Sequence, residues 1–243
     1  MNRIFTITPG RSGIHYLSAI FRFCTSLPET GYKEYFTLPE LNLRQRELFV
    51  AKIWKELPEN YVSTTLHPKN GYLKILHKYG ARFIHLKRDI KDNAQSWLNM
   101  EGIPGRTVRG QLYHPKPIRR NNCIYLNSIN KVSDLSLCIW LNLEIRARAE
   151  YMKSQGADVY EVDLYDLNEK ENIIKLLEWT GYEYSMLSVD KALDNFNLRN
   201  SLTNIPDQYK SSKKFKVTNE EFELAKNNLT AYLVHNNIEN IDI

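Results

Sequence analysis

The sequence predicts an α/β fold, a central parallel β-sheet flanked by helices on both faces, in a single domain spanning residues 1–243. Three observations predict it. Four short strand-like runs, at residues 3–8, 61–65, 82–87 and 158–163, are separated by stretches of helical pattern, and this alternation builds parallel sheets through crossover helices. Each run reads as buried, which fits a sheet covered on both sides. At 243 residues and 42% apolar content the chain can bury one large core, a size at which α/β chains commonly stay undivided.

The first strand, with Ile4, Phe5 and Ile7, runs into Thr8-Pro9-Gly10-Arg11-Ser12-Gly13. A helix follows, with Leu17, Ile20, Phe21 and Cys24 along one side. A glycine-bearing strand-to-helix turn aims several backbone N–H groups and the positive end of the helix at one point, which suits a phosphate or sulfate oxyanion. Arg11 adds a permanent charge there. The turn departs from the template G-x-x-x-x-G-K-[ST], because Gly13 is followed by Ile14 and His15. With the Mg²⁺-holding hydroxyl missing, the loop suits transfer of a weakly charged group, such as a sulfuryl group, with no metal required. The alternative is a plain structural turn before a helix.

Residues 41–57 (Leu48, Phe49, Ile53, Trp54, Leu57) and 134–152 (Leu137, Leu141, Ile145, Ala149, Met152) show apolar spacing of about 3.6 residues and are read as core stripes. Phe83 to Arg88 reads as a buried strand, followed by a helix from Asp89 to Met100. Arg88 closes the strand and Ser96 lies eight residues on, about two helical turns in. A fork of donors and a hydroxyl can therefore converge on one phosphate near the sheet's carboxyl edge. The alternative is an arginine capping the sheet edge and a serine on a helix surface. Residues 101–133 are irregular, with Gly102, Pro104, Gly105, Gly110, Pro115 and Pro117. Such a long irregular connection, with its basic residues from Arg106 to Arg120, is either functional or a solvated loop. Asn168 with Glu171, and Thr218 with Glu221, predict capping boxes, and Gly181 predicts a helix stop.

Together these segments resemble the sulfotransferases that use 3′-phosphoadenosine 5′-phosphosulfate. In that family a strand–loop–helix with T-x-P-[KR]-S-G-[TS] binds the 5′-phosphosulfate, and R-[DN]-x-x-D-x-x-x-S binds the 3′-phosphate. Here the first is Thr8-Pro9-Gly10-Arg11-Ser12-Gly13 and the second is Arg88-Asp89-Ile90-Lys91-Asp92-Asn93-Ala94-Gln95-Ser96. Val62 to Pro68 resembles the family's strand that ends in the general-base histidine, with His67 twenty-one residues before Arg88. Val159 to Leu167 is similar to the family's strand-plus-EDL segment, so the resemblance runs from residue 3 to residue 182.

The resemblance implies a P-loop-like nucleotide-binding fold. It places Pro9, Gly10, Arg11, Ser12, Gly13, Ile14 and His15 at the 5′-phosphosulfate, and Arg88 and Ser96 at the 3′-phosphate. Tyr16 stands where relatives set an aromatic against the adenine, with ordinary core packing as the alternative. His67 and Arg11 become the catalytic residues, as base and as neutraliser of charge on the leaving phosphate. Two departures stand out. Ile14 and His15 replace the usual Thr or Ser pair, and the family's R-K-G clamp has no literal counterpart. Its nearest match is Tyr209 to Lys214, with Lys213 and Lys214 as candidate clamps and a solvated basic loop as the alternative.

The net charge of +5 and pI of 8.9 suit an anionic cofactor but fall short of the clustered basicity of a nucleic-acid binder. The resemblance makes residues 101–133 an acceptor-side insertion, whose basic character favours an acidic or polyhydroxylated acceptor, carbohydrate among them. Cys24, Cys123 and Cys138 are odd in number and lack C-x-x-C spacing, so neither a disulfide framework nor a zinc site is expected, and Cys24 and Cys138 read as core thiols. Met1 leads straight into a strand, and no run approaches the about eighteen apolar residues of a membrane span, which points to a soluble cytoplasmic protein. The expected activity is sulfuryl transfer to an acceptor hydroxyl. Two alternatives are a P-loop nucleotide or small-molecule kinase and a non-catalytic anion-binding module.

Overall fold

β1 (Asn2–Ile7) pairs in parallel with β3 (Asn60–Leu66) on one side and β4 (Arg82–Lys87) on the other. β2 (Tyr32–Lys33) adds to β3, and β5 (Val159–Asp163) adds to β4, giving the order β2-β3-β1-β4-β5. The protein is therefore α/β, with every strand pair parallel. The computed structural model describes residues 2–10, 12–28, 32–33, 42–66, 72–99, 124, 132–200 and 216–235. They fall into two compact units, 1–87 with 152–205 and 88–151 with 206–243.

The sheet belongs to the first unit. Its register sets Ile4 beside Val62, Phe5 beside Phe83 and Leu86 beside Val162, so alternate residues share a face. On one face Ile4, Val62, Ile84, Leu86 and Val162 form a buried cluster with α1 (Ile14–Arg22), α6 (Lys170–Thr180) and α7 (Met186–Asn200), through Leu17, Phe21, Leu177 and Val189. On the other face Phe5 meets Tyr61 at 5.6 Å between ring centroids, and the Arg3 guanidinium lies 4.6 Å over the Trp54 ring of α2 (Leu43–Glu56). α3 (Tyr72–Lys78) packs against α2 through Phe49 and Tyr72, whose rings are 6.3 Å apart. Helices thus cover both faces.

The second unit holds α4 (Ile90–Leu98), α8 (Asn219–His235) and most of α5 (Asp134–Ser154). Along α5, Leu137, Leu141, Ile145 and Ala149 are buried, as the periodicity predicts. The stripe also carries a charge that hydropathy alone does not reveal. Glu144 is fully buried; its Oε1 accepts from Arg148 Nε at 2.5 Å and its Oε2 accepts the Ile124 backbone N–H at 2.6 Å. Trp140 Nε1 donates to the Ile124 carbonyl at 3.0 Å. Both backbone groups of Ile124 are thus held by side chains one helical turn apart. Ser136 Oγ donates to the Ala225 carbonyl at 2.9 Å, joining α5 to α8.

Helix ends show where local chemistry is legible. Thr218 and Glu221 form the expected box, with Glu221 N–H donating to Thr218 Oγ1 at 3.1 Å and Thr218 N–H donating to Glu221 Oε2 at 2.8 Å. Gly181, at φ 72°, stops α6 as expected. The Asn168–Glu171 box does not form. Asp166–Asn168 is a 3₁₀ turn and α6 begins at Lys170, and the Asn172 side chain donates to the Asp166 carbonyl at 2.9 Å instead. A second box, Asn42 with Gln45, opens α2. The helix after β4 begins at Ile90, because Asp89 is its cap. Cys24 and Cys138 are buried free thiols, and Cys123 lies outside the described residues. Among the described residues no helix is long and apolar enough to cross a membrane.

Candidate functional site

β1 and β3 are parallel neighbours that leave the sheet at the same edge. The helix after β1 covers one face; α3, which follows β3, lies with α2 against the other. Adjacent strands whose connections diverge to opposite faces open a crevice at their carboxyl ends, where open α/β sheets bind ligands. Two sequence-predicted features, the turn at 8–13 and His67, come directly after these two strands in the sequence.

The turn after β1 is built by its glycines. Gly10 has φ 74° and Gly13 φ 84°, both in the left-handed region. Gly13 caps α1 without any side-chain hydrogen bond, and the first turn of α1 carries no acid. Asn42, Asp89 and Thr218, by contrast, cap α2, α4 and α8 with their own oxygens. A helix start capped by a glycine, which has no side chain, and with no acid in its first turn suits an external anion. Thr8 Oγ1, on a residue only 1% exposed, has no hydrogen-bond partner among the described residues. A buried hydroxyl left unpaired costs about 1–3 kcal/mol, and a ligand oxygen would relieve that cost. The donor set therefore fits an anionic group at this turn.

Pro9 is buried and Gly10 half-exposed. The fully buried Ser12 turns its Oγ to the Gly10 carbonyl at 3.1 Å, so it braces the turn. Ile14 is core, leaving only its backbone to face a ligand, whereas His15 is exposed on the first turn of α1. Tyr16 packs in the core. It is 4% exposed within the core cluster, its hydroxyl donates to the Leu167 carbonyl at 2.7 Å, and burial raises its pKa. Arg11, His67, Lys213 and Lys214 lie outside the described residues, as does 101–133 apart from Ile124, Val132 and Ser133.

In the second unit Arg88 is half-buried just before the cap of α4, and Ser96 is half-buried on that helix. Asp89 Oδ1 accepts the Asp92 N–H at 2.9 Å, so one of the two acids at this helix start is spent on capping. α5 lies against α4: Asn142 Nδ2 donates to Asn93 Oδ1 at 2.9 Å, and one turn on, Arg146 Nη2 donates to the Arg88 carbonyl at 3.4 Å. By periodicity alone this stretch reads as a core stripe, and the contacts of Asn142 and Arg146 reach residues 49 and 58 positions away, which no local spacing encodes.

A separate charged cluster sits on the sheet. His85, 2% exposed on β4, has Nδ1 2.7 Å from Glu161 Oε1, and Lys153 Nζ is 2.7 Å from Glu161 Oε2. Burial alone would raise the Glu161 pKa, but hydrogen bonds from Lys153 and His85 outweigh it and lower it from 4.5 to about 2. The carboxylate therefore stabilises the fold above about pH 4.5, and that contribution is lost as the pH falls toward 2. Urea unfolding followed across this range is expected to show a shallower acid loss in Glu161→Gln than in wild type; parallel curves would rule out the contribution.

No protein-family model matches the chain, and no curated protein matches it.

Proposed function

We propose that the protein is a P-loop-like sulfotransferase that moves the sulfuryl group of 3′-phosphoadenosine 5′-phosphosulfate to an acceptor hydroxyl. One observation supports this reading: a glycine turn and a glycine-capped, acid-free helix start follow the central strand at a diverging strand pair, without the lysine and hydroxyl of a magnesium nucleotide loop. The bound donor supplies an activated sulfuryl group that carries less charge than a phosphoryl group.

The chain's own residues do the rest. The turn at 9–13 and Arg11 hold the 5′ side of the donor and neutralise charge growing on the leaving phosphate oxygen. His67, following β3, takes the acceptor's hydroxyl proton as the oxygen–sulfur bond forms and the sulfur–phosphate oxygen bond breaks, releasing adenosine 3′,5′-bisphosphate. Arg88 and Ser96 bind the 3′-phosphate, Lys213 and Lys214 close on it, and the basic 101–133 segment reads an acidic or polyhydroxylated acceptor. The reaction is cytoplasmic and needs no metal.

The test is transfer of labelled sulfate, in EDTA, to a panel of glycans and smaller hydroxylated acceptors. His67→Ala and Arg11→Ala are each expected to lower turnover about a hundredfold or more. Arg88→Ala should instead raise the donor KM with a smaller change in kcat. Absence of transfer together with magnesium-dependent ATP turnover would overturn the proposal in favour of a kinase.

A further inference from the structure

We infer that Arg146 is a second guanidinium of the 3′-phosphate subsite and a determinant of selectivity for adenosine 3′,5′-bisphosphate over adenosine 5′-monophosphate. The inference rests on the proposed function. Its starting point is the contact that α5 makes with the segment opening α4. Asn142 and Arg146, four residues apart on one helical face, engage Asn93 and Arg88 in turn. The first contact is between two buried asparagines, 3% and 0% exposed, and pins the helices in register. The second holds the Arg146 guanidinium beside the backbone of the residue assigned to the 3′-phosphate.

Arg146 is poorly used where it stands. Its bond to the Arg88 carbonyl is long, at 3.4 Å, and a guanidinium has five N–H donors. Among the described residues no carboxylate forms an ion pair with Arg146, although it is half-buried. Two residues on, Arg148 is buried and tightly paired with Glu144, so this helix does supply an acid to an arginine that only supports the fold. Two arginines stand near one helix start, one already assigned to an anion, and a phosphate dianion can accept from both forks.

Calorimetric titration of wild type, Arg146→Gln and Arg146→Lys with adenosine 3′,5′-bisphosphate and with adenosine 5′-monophosphate tests the inference, with thermal melts to check folding. Arg146→Gln is expected to reduce the bisphosphate-to-monophosphate affinity ratio about tenfold, as for loss of one charge-assisted contact, and to leave monophosphate affinity unchanged. Arg146→Lys, a point charge without the fork, should give an intermediate ratio. A wild-type ratio in Arg146→Gln overturns the role of Arg146 while leaving the sulfotransferase reading intact. A wild-type protein with no preference for the bisphosphate overturns both. Should Arg146→Gln fail to fold, Arg146→Lys decides, and an unchanged ratio there overturns the inference.

Discussion

Gly13→Ala is expected to destabilise the protein by about 2–5 kcal/mol, because it strains the backbone and overfills the core at the same position. Gly13 sits at φ 84°, where an alanine pays about 1–2 kcal/mol for its Cβ. That Cβ would fall inside contact distance of Leu164 Cδ1 and 2.9 Å from Leu164 Cδ2. Leu164 is itself 7% exposed within the core cluster, so it can yield only by repacking against its neighbours. Gly80 supplies the control: its φ is 87°, yet nothing lies within 4 Å of an added Cβ. Gly80→Ala should therefore show the backbone cost alone. Urea midpoints at constant m-value would measure both, and equal losses in the two variants would remove Leu164 from the account. The same substitution should weaken anion binding, since the φ of Gly13 sets where α1 begins.

Glu144→Ala is expected to cost about 3–5 kcal/mol, as removal of one member of a buried ion pair does. The loss leaves the Arg148 guanidinium, 6% exposed, without its carboxylate, and the Ile124 N–H without its acceptor. Replacing Glu144 and Arg148 together by apolar residues of similar volume should cost less than Glu144→Ala alone, because no buried charge is then stranded. Chemical denaturation of the single and double variants checks this; additive losses would show that the pair is not coupled. Acceptor use should change in Glu144→Ala as well, since Ile124 lies within the 101–133 segment and is fastened at both backbone groups.

Much of the scaffold was readable from residue order. The four longer strands announced themselves because buried parallel strands are short, apolar and punctuated by helical stretches, and the structure starts and ends each of them within two residues of the predicted bounds. β2 was not legible, since two residues carry no periodicity and its edge position depends on pairing with β3. α3, at seven residues, is likewise too short for its pattern to stand out. Thr218 and Glu221 behaved as their types predict, whereas Asn168 and Glu171 did not, because a 3₁₀ turn claimed Asn168 first. The turn at 8–13 was visible as a glycine pattern. Its placement at diverging strands, the Thr8 hydroxyl without a partner among the described residues and the core location of Tyr16 depend on tertiary contacts that no local spacing encodes. Arg146 was hidden for the same reason: its partner stands fifty-eight residues away in sequence.

An anion turn without a metal ligand should serve a 3′-phosphorylated adenylate rather than a nucleoside triphosphate. Calorimetric titration of the full chain with adenosine 3′,5′-bisphosphate, adenosine 5′-monophosphate and magnesium ATP separates the two. The bisphosphate is expected to bind in EDTA at least about tenfold more tightly than the monophosphate, as one added charge-assisted phosphate contact requires, and to outcompete magnesium ATP. Equal affinities for the three nucleotides, or no binding of the bisphosphate, would refute the sulfotransferase proposal.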